Sequence, residues 1–376
     1  MPLRDKIDVH SHFVPQKYRQ DCISQGIAHP DGVVEIPTWS ETQHLQMMDS
    51  LNIQKAYLSI TSPGTHLIPG DDALGRRITR ECNVAAADFK YRHPDRIGYF
   101  ASTPLPDVQG SIQEIDLVLP GPNGDDDPAT LTNVGPNLIA TPADGIAVKT
   151  NHHGTYLGSP LFDPVWQVLN AKHAVVFIHP TAPCMPCGAS AAPLESLYPN
   201  PMLEFFFETA RAAANLFLSG TVAKYPNITY VLSHCGGALP PMIRRICGAA
   251  PILGVKGHDG KLLQADAIMR QLNEKFYFDT AGWSFPEQVT GLLQYVKPER
   301  ILYGTDFPWT PIKVVTELSR DHDRFVPEVF GQHEGGQELV VWRNAKRLFE
   351  RNIGLNGNSN DNGSAQDTAV HEGHKA

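Results

Sequence analysis

Four histidines and one aspartate in this chain sit just behind short β-branched, apolar runs. His10 and His12 form a His-x-His pair after Lys6-Ile7-Asp8-Val9. Side chains two apart on a strand point the same way, so both imidazoles can grip one ion. His179 follows Ala174-Val175-Val176-Phe177-Ile178, and His234 follows Ile228-Thr229-Tyr230-Val231-Leu232-Ser233. Asp306 closes Arg300-Ile301-Leu302-Tyr303-Gly304-Thr305. Imidazole and carboxylate suit zinc or manganese and leave a position for a reacting group. The pattern points to a metal-dependent enzyme with His10, His12, His179 and Asp306 as ligands.

Two of these residues have a second reading. Asp306 precedes Phe307-Pro308 and could cap a helix. His234 precedes Cys235-Gly236-Gly237, where glycines let the backbone pass close to a ligand. It reads as a proton carrier or substrate contact, otherwise as a fifth metal contact or a buried structural histidine. A neutral imidazole near a metal can move a proton at pH 7.

The elements that position them alternate along the chain. Strand-like runs fall at 6–9, 54–60, 96–102, 145–149, 174–178, 228–233, 275–279 and 300–303. Helical patterns fall at 40–50, 72–92, 110–118, 162–171, 202–224, 238–249, 264–273 and 285–296, with a closing helix at 338–350. Such alternation indicates a parallel sheet, and eight units fit a closed (β/α)8 TIM barrel of the α/β class. Active sites of these barrels lie at the C-terminal ends of the strands. The candidate ligands end strands one, five, six and eight, where a barrel would gather them. Residues 15–38 read as a flap after strand one, and 120–144 as a polar surface insertion before strand four. The barrel is expected over 1–354. Residues 355–376 are rich in Asn, Gly, Ser and Asp and read as a disordered tail.

Composition narrows the class further. The 376 residues carry a net charge of −9 and no basic block, which argues against nucleic-acid binding. No apolar run is long enough to span a bilayer, and the N-terminus leaves no room for a signal peptide, so a cytoplasmic location is expected. The six cysteines read as free thiols. Cys184 and Cys187 have the spacing of a zinc or redox pair but lie in a proline-marked loop without a second pair.

These motifs resemble the amidohydrolase superfamily, and within it the aminocarboxymuconate-semialdehyde decarboxylase family. The likeness rests on Ile7-Asp8-Val9-His10-Ser11-His12-Phe13-Val14-Pro15, Phe177-Ile178-His179-Pro180, Ser233-His234-Cys235-Gly236-Gly237-Ala238-Leu239-Pro240 and Tyr303-Gly304-Thr305-Asp306-Phe307-Pro308. It runs to about residue 354, omitting the insertion. Ser102-Thr103-Pro104-Leu105-Pro106-Asp107 and Ala143-Asp144-Gly145-Ile146-Ala147 are similar to 6-methylsalicylate decarboxylase-like members. The resemblance implies one divalent metal per chain, zinc before manganese, held by His10, His12, His179 and Asp306. It also implies a homodimer, with 240–250 and the closing helix as candidate contacts. Lys149 ends strand four, where binuclear relatives carry a modified lysine, but the decarboxylases need none. A surface-facing or substrate-facing lysine is the better reading.

One departure bears on substrate. The muconate-semialdehyde enzymes hold a substrate carboxylate with an arginine ahead of the second helix. Gly32-Val33-Val34-Glu35-Ile36-Pro37-Thr38-Trp39 contains no cation. A hydroxylated aromatic monoacid, 6-methylsalicylate-like or resorcylate-like, fits better than a dicarboxylate. The expected reaction is its nonoxidative decarboxylation by a carboxy-lyase, with Asp306 or His234 delivering the proton. Phe13, Glu208, Arg211, Trp283 and Phe307 are the candidate substrate contacts, with Trp39 and Trp309 as further aromatics. Glu208 and Arg211 stand three apart and could equally pair with each other on a helix. The alternative is a metal-dependent hydrolase of an ester, lactone or amide, because a bound metal lowers the pKa of water to about 7. A scaffold without catalysis would not need both His234 and Asp306.

Overall fold

Runs rich in Val, Ile, Phe and Tyr form strands because branched and aromatic side chains pack well on a pleated surface. The computed structural model describes residues 5–121, 141–183 and 198–350. Its strands are β1 Lys6–His12, β2 Ile53–Ser59, β3 Ile97–Ser102, β4 Gly145–Lys149, β5 Val175–His179, β6 Thr229–Leu232, β7 Phe276–Asp279 and β8 Ile301–Leu302. These eight pair in chain order, each parallel to the next. Closure comes from β1 against the end of β8. Val9 N donates to Tyr303 O at 2.9 Å, and Thr305 N donates to His10 O at 3.1 Å. The sheet is therefore a barrel. Strands β4 and β5 are buried along their whole length, as strands covered on both faces must be.

Helices cover the outside. After β1 come α1 Gln16–Ser24 and α2 Glu41–Ser50, then α3 Asp72–Arg92 after β2 and α4 Val108–Val118 after β3. A hairpin of Asn151–His152 with Thr155–Tyr156 and then α5 Asp163–Ala171 follow β4. Helices α6 Glu204–Leu218 and α7 Thr221–Lys224 follow β5, and α8 Pro240–Ile252 and α9 Ala265–Lys275 follow β6. Helix α10 Glu287–Leu292 follows β7, α11 Ile312–Phe330 follows β8, and α12 Asn344–Glu350 closes the described chain.

The barrel interior is packed, and α12 plugs its N-terminal end. Val9, Tyr57, Phe100, Phe177 and Val231 form one cluster with Leu348 and Phe349 of that helix. The Phe349 ring stacks on Tyr57 with centroids 3.7 Å apart. Phe349→Ala is expected to cost about 3–5 kcal/mol, as for a buried aromatic truncated to Ala. The loss would be read by urea unfolding, with metal content unchanged because the site is at the other end.

Several boundaries differ from the sequence reading. The first strand runs on through both histidines instead of stopping at Val9. The helix expected over 202–224 is two helices, broken at Gly220. That residue has φ +78°, and a Cβ there would sit 2.7 Å from His258 N. The helix expected over 285–296 is confined to Glu287–Leu292. Helix α11 was not anticipated at all, although Val315, Ser319, His322, Val326 and Phe330 place a buried stripe at helical spacing. Pro311 ahead of it and Pro327 in its last turn mask that signal. The 15–38 stretch contains α1, which the Arg77–Asp21 pair ties to α3 at 3.2 Å. Cys22, Cys82, Cys235 and Cys247 are buried free thiols. Cys184, Cys187, most of the 120–144 insertion and the tail lie outside the described residues.

Candidate metal centre

The β1 ladder is irregular between Asp8 and Ser11, and a buried carboxylate supports that stretch. Asp8 accepts from Thr305 Oγ1 at 2.6 Å, from Thr305 N at 3.1 Å and from His10 N at 3.1 Å. Burial lifts its pKa to about 7 against these bonds. They bind the strand carrying His10 and His12 to the loop carrying Asp306. Asp306 itself takes a left-handed φ of +62°, as do His234 at +53° and Cys235 at +54°. That conformation costs about 1–2 kcal/mol for residues other than Gly, so the surrounding structure must hold each one in place.

The four expected ligands converge at the C-terminal mouth. His10 Nε2 and His12 Nε2 are 3.1 Å apart. Asp306 Oδ1 lies 3.0 Å from His12 Nε2 and 3.5 Å from His10 Nε2. With His179, all four donors fall within 4.8 Å of one another. Ligands about 2.1 Å from a tetrahedral ion sit about 3.4 Å apart, so the spacing suits a single ion.

The hydrogen bonds around the ligands also fit a metal. His10 Nδ1 donates to Asp279 Oδ2 at 2.9 Å. His12 Nδ1 lies 3.1 Å from Ser59 O and 3.0 Å from Ser59 Oγ. His179 Nδ1 donates to Pro180 O at 2.8 Å, and Thr61 Oγ1 stands 3.2 Å from both ring nitrogens. The bonds to Asp279 Oδ2, Ser59 O and Pro180 O each commit an Nδ1–H and leave Nε2 as the coordinating lone pair. Thr310 Oγ1 donates to Asp306 Oδ2 at 3.1 Å, leaving Oδ1 toward the centre.

The electrostatics point the same way. Burial drives His12 down to about 4 and His179 well below its usual range, so both rings are neutral, as ligands must be. His10 differs: burial opposes its charge, yet Asp279 and Asp306 raise it to about 10. Asp306 stays well below the carboxylate range because bonds from His10 and His12 outweigh its burial. The buried Asp279 and the half-buried Asp306 thus call for positive charge at this point, which a divalent cation would supply.

His234 stands beside this set, 8% exposed. Its Nδ1 donates to Ala281 O at 3.2 Å, and its ring centroid is 4.7 Å from that of His10. Gly237 lets the chain turn here: a Cβ would lie 2.4 Å from Phe206 O. The Phe206 ring then covers His234 at 5.7 Å.

Asp279 was missed by the sequence reading. Its Oδ2 orients His10, while Oδ1 accepts from His234 N and Ala281 N, each at 3.1 Å. It ends β7 as the ligands end theirs, which was the available signal. With Asp279→Asn, one amide oxygen replaces two acceptors for three N–H groups. A roughly 10–100-fold loss of metal affinity is expected, measured by titration against a competing chelator.

A cavity of about 310 Å³ opens on the β2–β5 side, bounded by Leu67, Thr103, Leu105, Lys149, Asn151 and His152 among others. None of the five candidate substrate contacts lines it. Phe13 is buried against Trp39, with centroids 6.1 Å apart, and Phe307 packs on His44 at 5.3 Å. Glu208 is buried, pairs with Arg211 at 3.0 Å and accepts from Asn151 Nδ2 at 3.0 Å, so it reaches the cavity through Asn151. Arg211 is exposed at 54%. Trp283 is 73% exposed and borders a separate 30 Å³ cavity against α11.

A barrel with this histidine and aspartate set at its mouth defines a class, and a family model for amidohydrolases matches residues 7–351. The chain belongs to the amidohydrolase family. It is 33% identical over 350 residues to a 6-methylsalicylic acid decarboxylase of Aspergillus aculeatus, covering 92% of this chain and 96% of the relative. A 6-methylsalicylic acid decarboxylase of Penicillium expansum is likewise 33% identical over 351 residues, covering 92% and 98%. A manganese-bound dihydroxybenzoic acid decarboxylase from Polaromonas superposes with a TM-score of 0.70 at 21% identity, over 93% of this chain and 98% of that one. That last likeness concerns the fold.

Proposed function

We propose that the protein is a carboxy-lyase that decarboxylates a hydroxylated aromatic acid, 6-methylsalicylate-like or resorcylate-like, without oxidation. The observation that carries this reading is the four-donor centre with His234 beside it. The names of the two 6-methylsalicylic acid decarboxylases support the substrate class. His10, His12, His179 and Asp306 hold one divalent ion per chain. The second converging group, His10 with His234 and Asp279, shares His10 with the first and so does not make an independent second site. Three imidazoles favour zinc, and the Polaromonas relative makes manganese the alternative. When bound, the ion supplies positive charge beside the substrate's carboxylate and ortho-hydroxyl.

The chain's own groups then handle one proton. Decarboxylation replaces carboxylate by hydrogen at a ring carbon, so each turnover consumes one proton and releases CO2 and a phenol. Asp306 has Oδ2 accepting from Thr310 Oγ1 and Oδ1 turned to the metal donors, so neither oxygen is left over to carry the proton. His234 has Nδ1 anchored on Ala281 O and, among the described residues, no hydrogen-bond partner on Nε2, which makes it the group placed to carry the proton. Asp306 orients the centre. Glu208 acts through Asn151, and Phe13, Phe307, Arg211 and Trp283 stay secondary candidates for shaping access. No helix among the described residues is long and apolar enough to cross a membrane. We retain a cytoplasmic homodimer as part of the proposal, the dimer to be checked by sedimentation.

The test is CO2 release by metal-loaded protein from 6-methylsalicylate, salicylate and 2,6-dihydroxybenzoate. Release from at least one, with equal phenol formed, is expected. Hydrolysis of aryl esters or lactones without any CO2 release would move the assignment to the hydrolase.

A further inference from the structure

We infer that Lys149 is the cation that receives the ring-borne carboxylate of the substrate, in the 310 Å³ cavity beside the metal centre. The inference deepens the proposed decarboxylase reading and rests on it. Lys149 ends β4 directly in register with His179, and Thr150 N donates to His179 O at 3.0 Å. Its side chain is buried at 6% exposure. Of its three donors, one goes to Ile60 O at 2.5 Å, next to the Thr61 whose hydroxyl touches His179. That places the ammonium one residue from the ligand shell.

Among the described residues no carboxylate forms an ion pair with it. Asp31 is the acid whose field supports its charge, yet burial outweighs that field and lowers the Lys149 pKa to about 7. A buried ammonium with no ion-pair partner is costly to a fold, and a ligand anion is the partner that relieves the cost. The cavity walls suit such a ligand. Leu67, Leu105 and Ala147 offer apolar contact for a ring, while Thr103, Asn151 and His152 offer hydrogen bonds. Lys149 is the one lysine or arginine among the described lining residues. The volume is at the small end of ligand pockets, in keeping with a single ring. The stretch 32–39, ahead of α2, contains no cation, so Lys149 takes over anchoring of the acid from within the barrel.

The test compares a charged and a neutral ligand of one shape. Salicylate and salicylamide are titrated into the metal-loaded wild type, Lys149→Met and Lys149→Arg, with ions per chain counted in each. Lys149→Met should weaken salicylate about 10–100-fold, the scale of a hydrogen bond to a charged group, and salicylamide less than about twofold. Lys149→Arg should recover salicylate binding, and in turnover Lys149→Met should raise KM more than it lowers kcat. Equal weakening of both ligands, or unchanged salicylate binding, overturns the inference. So does a second ion in the wild type that vanishes in Lys149→Met, which would mark a modified lysine bridging two metals. The two readings fail separately. Lys149-dependent salicylate binding without CO2 release from any acid would sink the decarboxylase and leave the carboxylate site. CO2 release with equal KM in wild type and Lys149→Met would do the reverse.

Discussion

Protein carrying Ala in place of His12 is expected to emerge from dialysis with well under one divalent ion per chain and with CO2 release lost. His12 is wholly buried, and its Nε2 is the donor nearest both His10 and Asp306, at 3.1 and 3.0 Å. Its removal leaves three donors and a gap that water enters. Even the loss of a supporting group around a metal ligand costs about 10–100-fold in affinity, so loss of a ligand should cost at least about a hundredfold. His10→Ala should match it and do further harm, since Asp279 would lose the imidazole that compensates its buried charge. Elemental analysis of dialysed protein reads the effect, and far-UV circular dichroism separates it from unfolding. Full occupancy in both variants would sink the four-donor assignment.

The barrel and the four converging donors were legible because they rest on local signals. β-branched runs announce strands, and the barrel rule says where strand ends meet. His10 and His12 gave themselves away by their spacing, His179, His234 and Asp306 by the apolar runs before them. Asp279 stands in an equivalent place after Phe276-Tyr277-Phe278, yet it looked like an ordinary strand end. Its role exists only through His10, 269 residues away, and no local pattern reports such a bond. Lys149 carried a signal that pointed only to a strand end. What distinguishes it, a buried amine with no ion pair among the described residues, is a property of packing. The aromatic candidates show how little nearness in sequence fixes direction. Trp283 and Phe307 lie beside β7 and Asp306 in the chain, whereas the backbone directs one to solvent and the other onto His44. Helix α11 was lost to its prolines. Pro327 falls in the last turn, where its ring disturbs little and Gly331 N still bonds Pro327 O at 3.0 Å.

His234→Asn is expected to keep its metal and lose CO2 release by at least about a hundredfold, the scale of a general acid–base group. Asn is close in size and polar, but it cannot exchange a proton near neutral pH. The backbone bond from residue 234 to Asp279 does not depend on the side chain, so the loop and His10 should hold. Asp306→Asn retains an oxygen toward the centre and should keep most of its metal while also losing turnover, because the charge facing His10 and His12 is gone. Both variants are slow for different reasons, and exchange of the product phenol's ring hydrogen with deuterated water tells them apart. Exchange at that carbon needs the proton carrier but no carbon–carbon cleavage. His234→Asn should abolish it, and Asp306→Asn should retain a measurable fraction. Loss of exchange in Asp306→Asn alone would transfer the proton to the aspartate. Near-native CO2 release by both variants with metal bound would show that neither residue carries the proton.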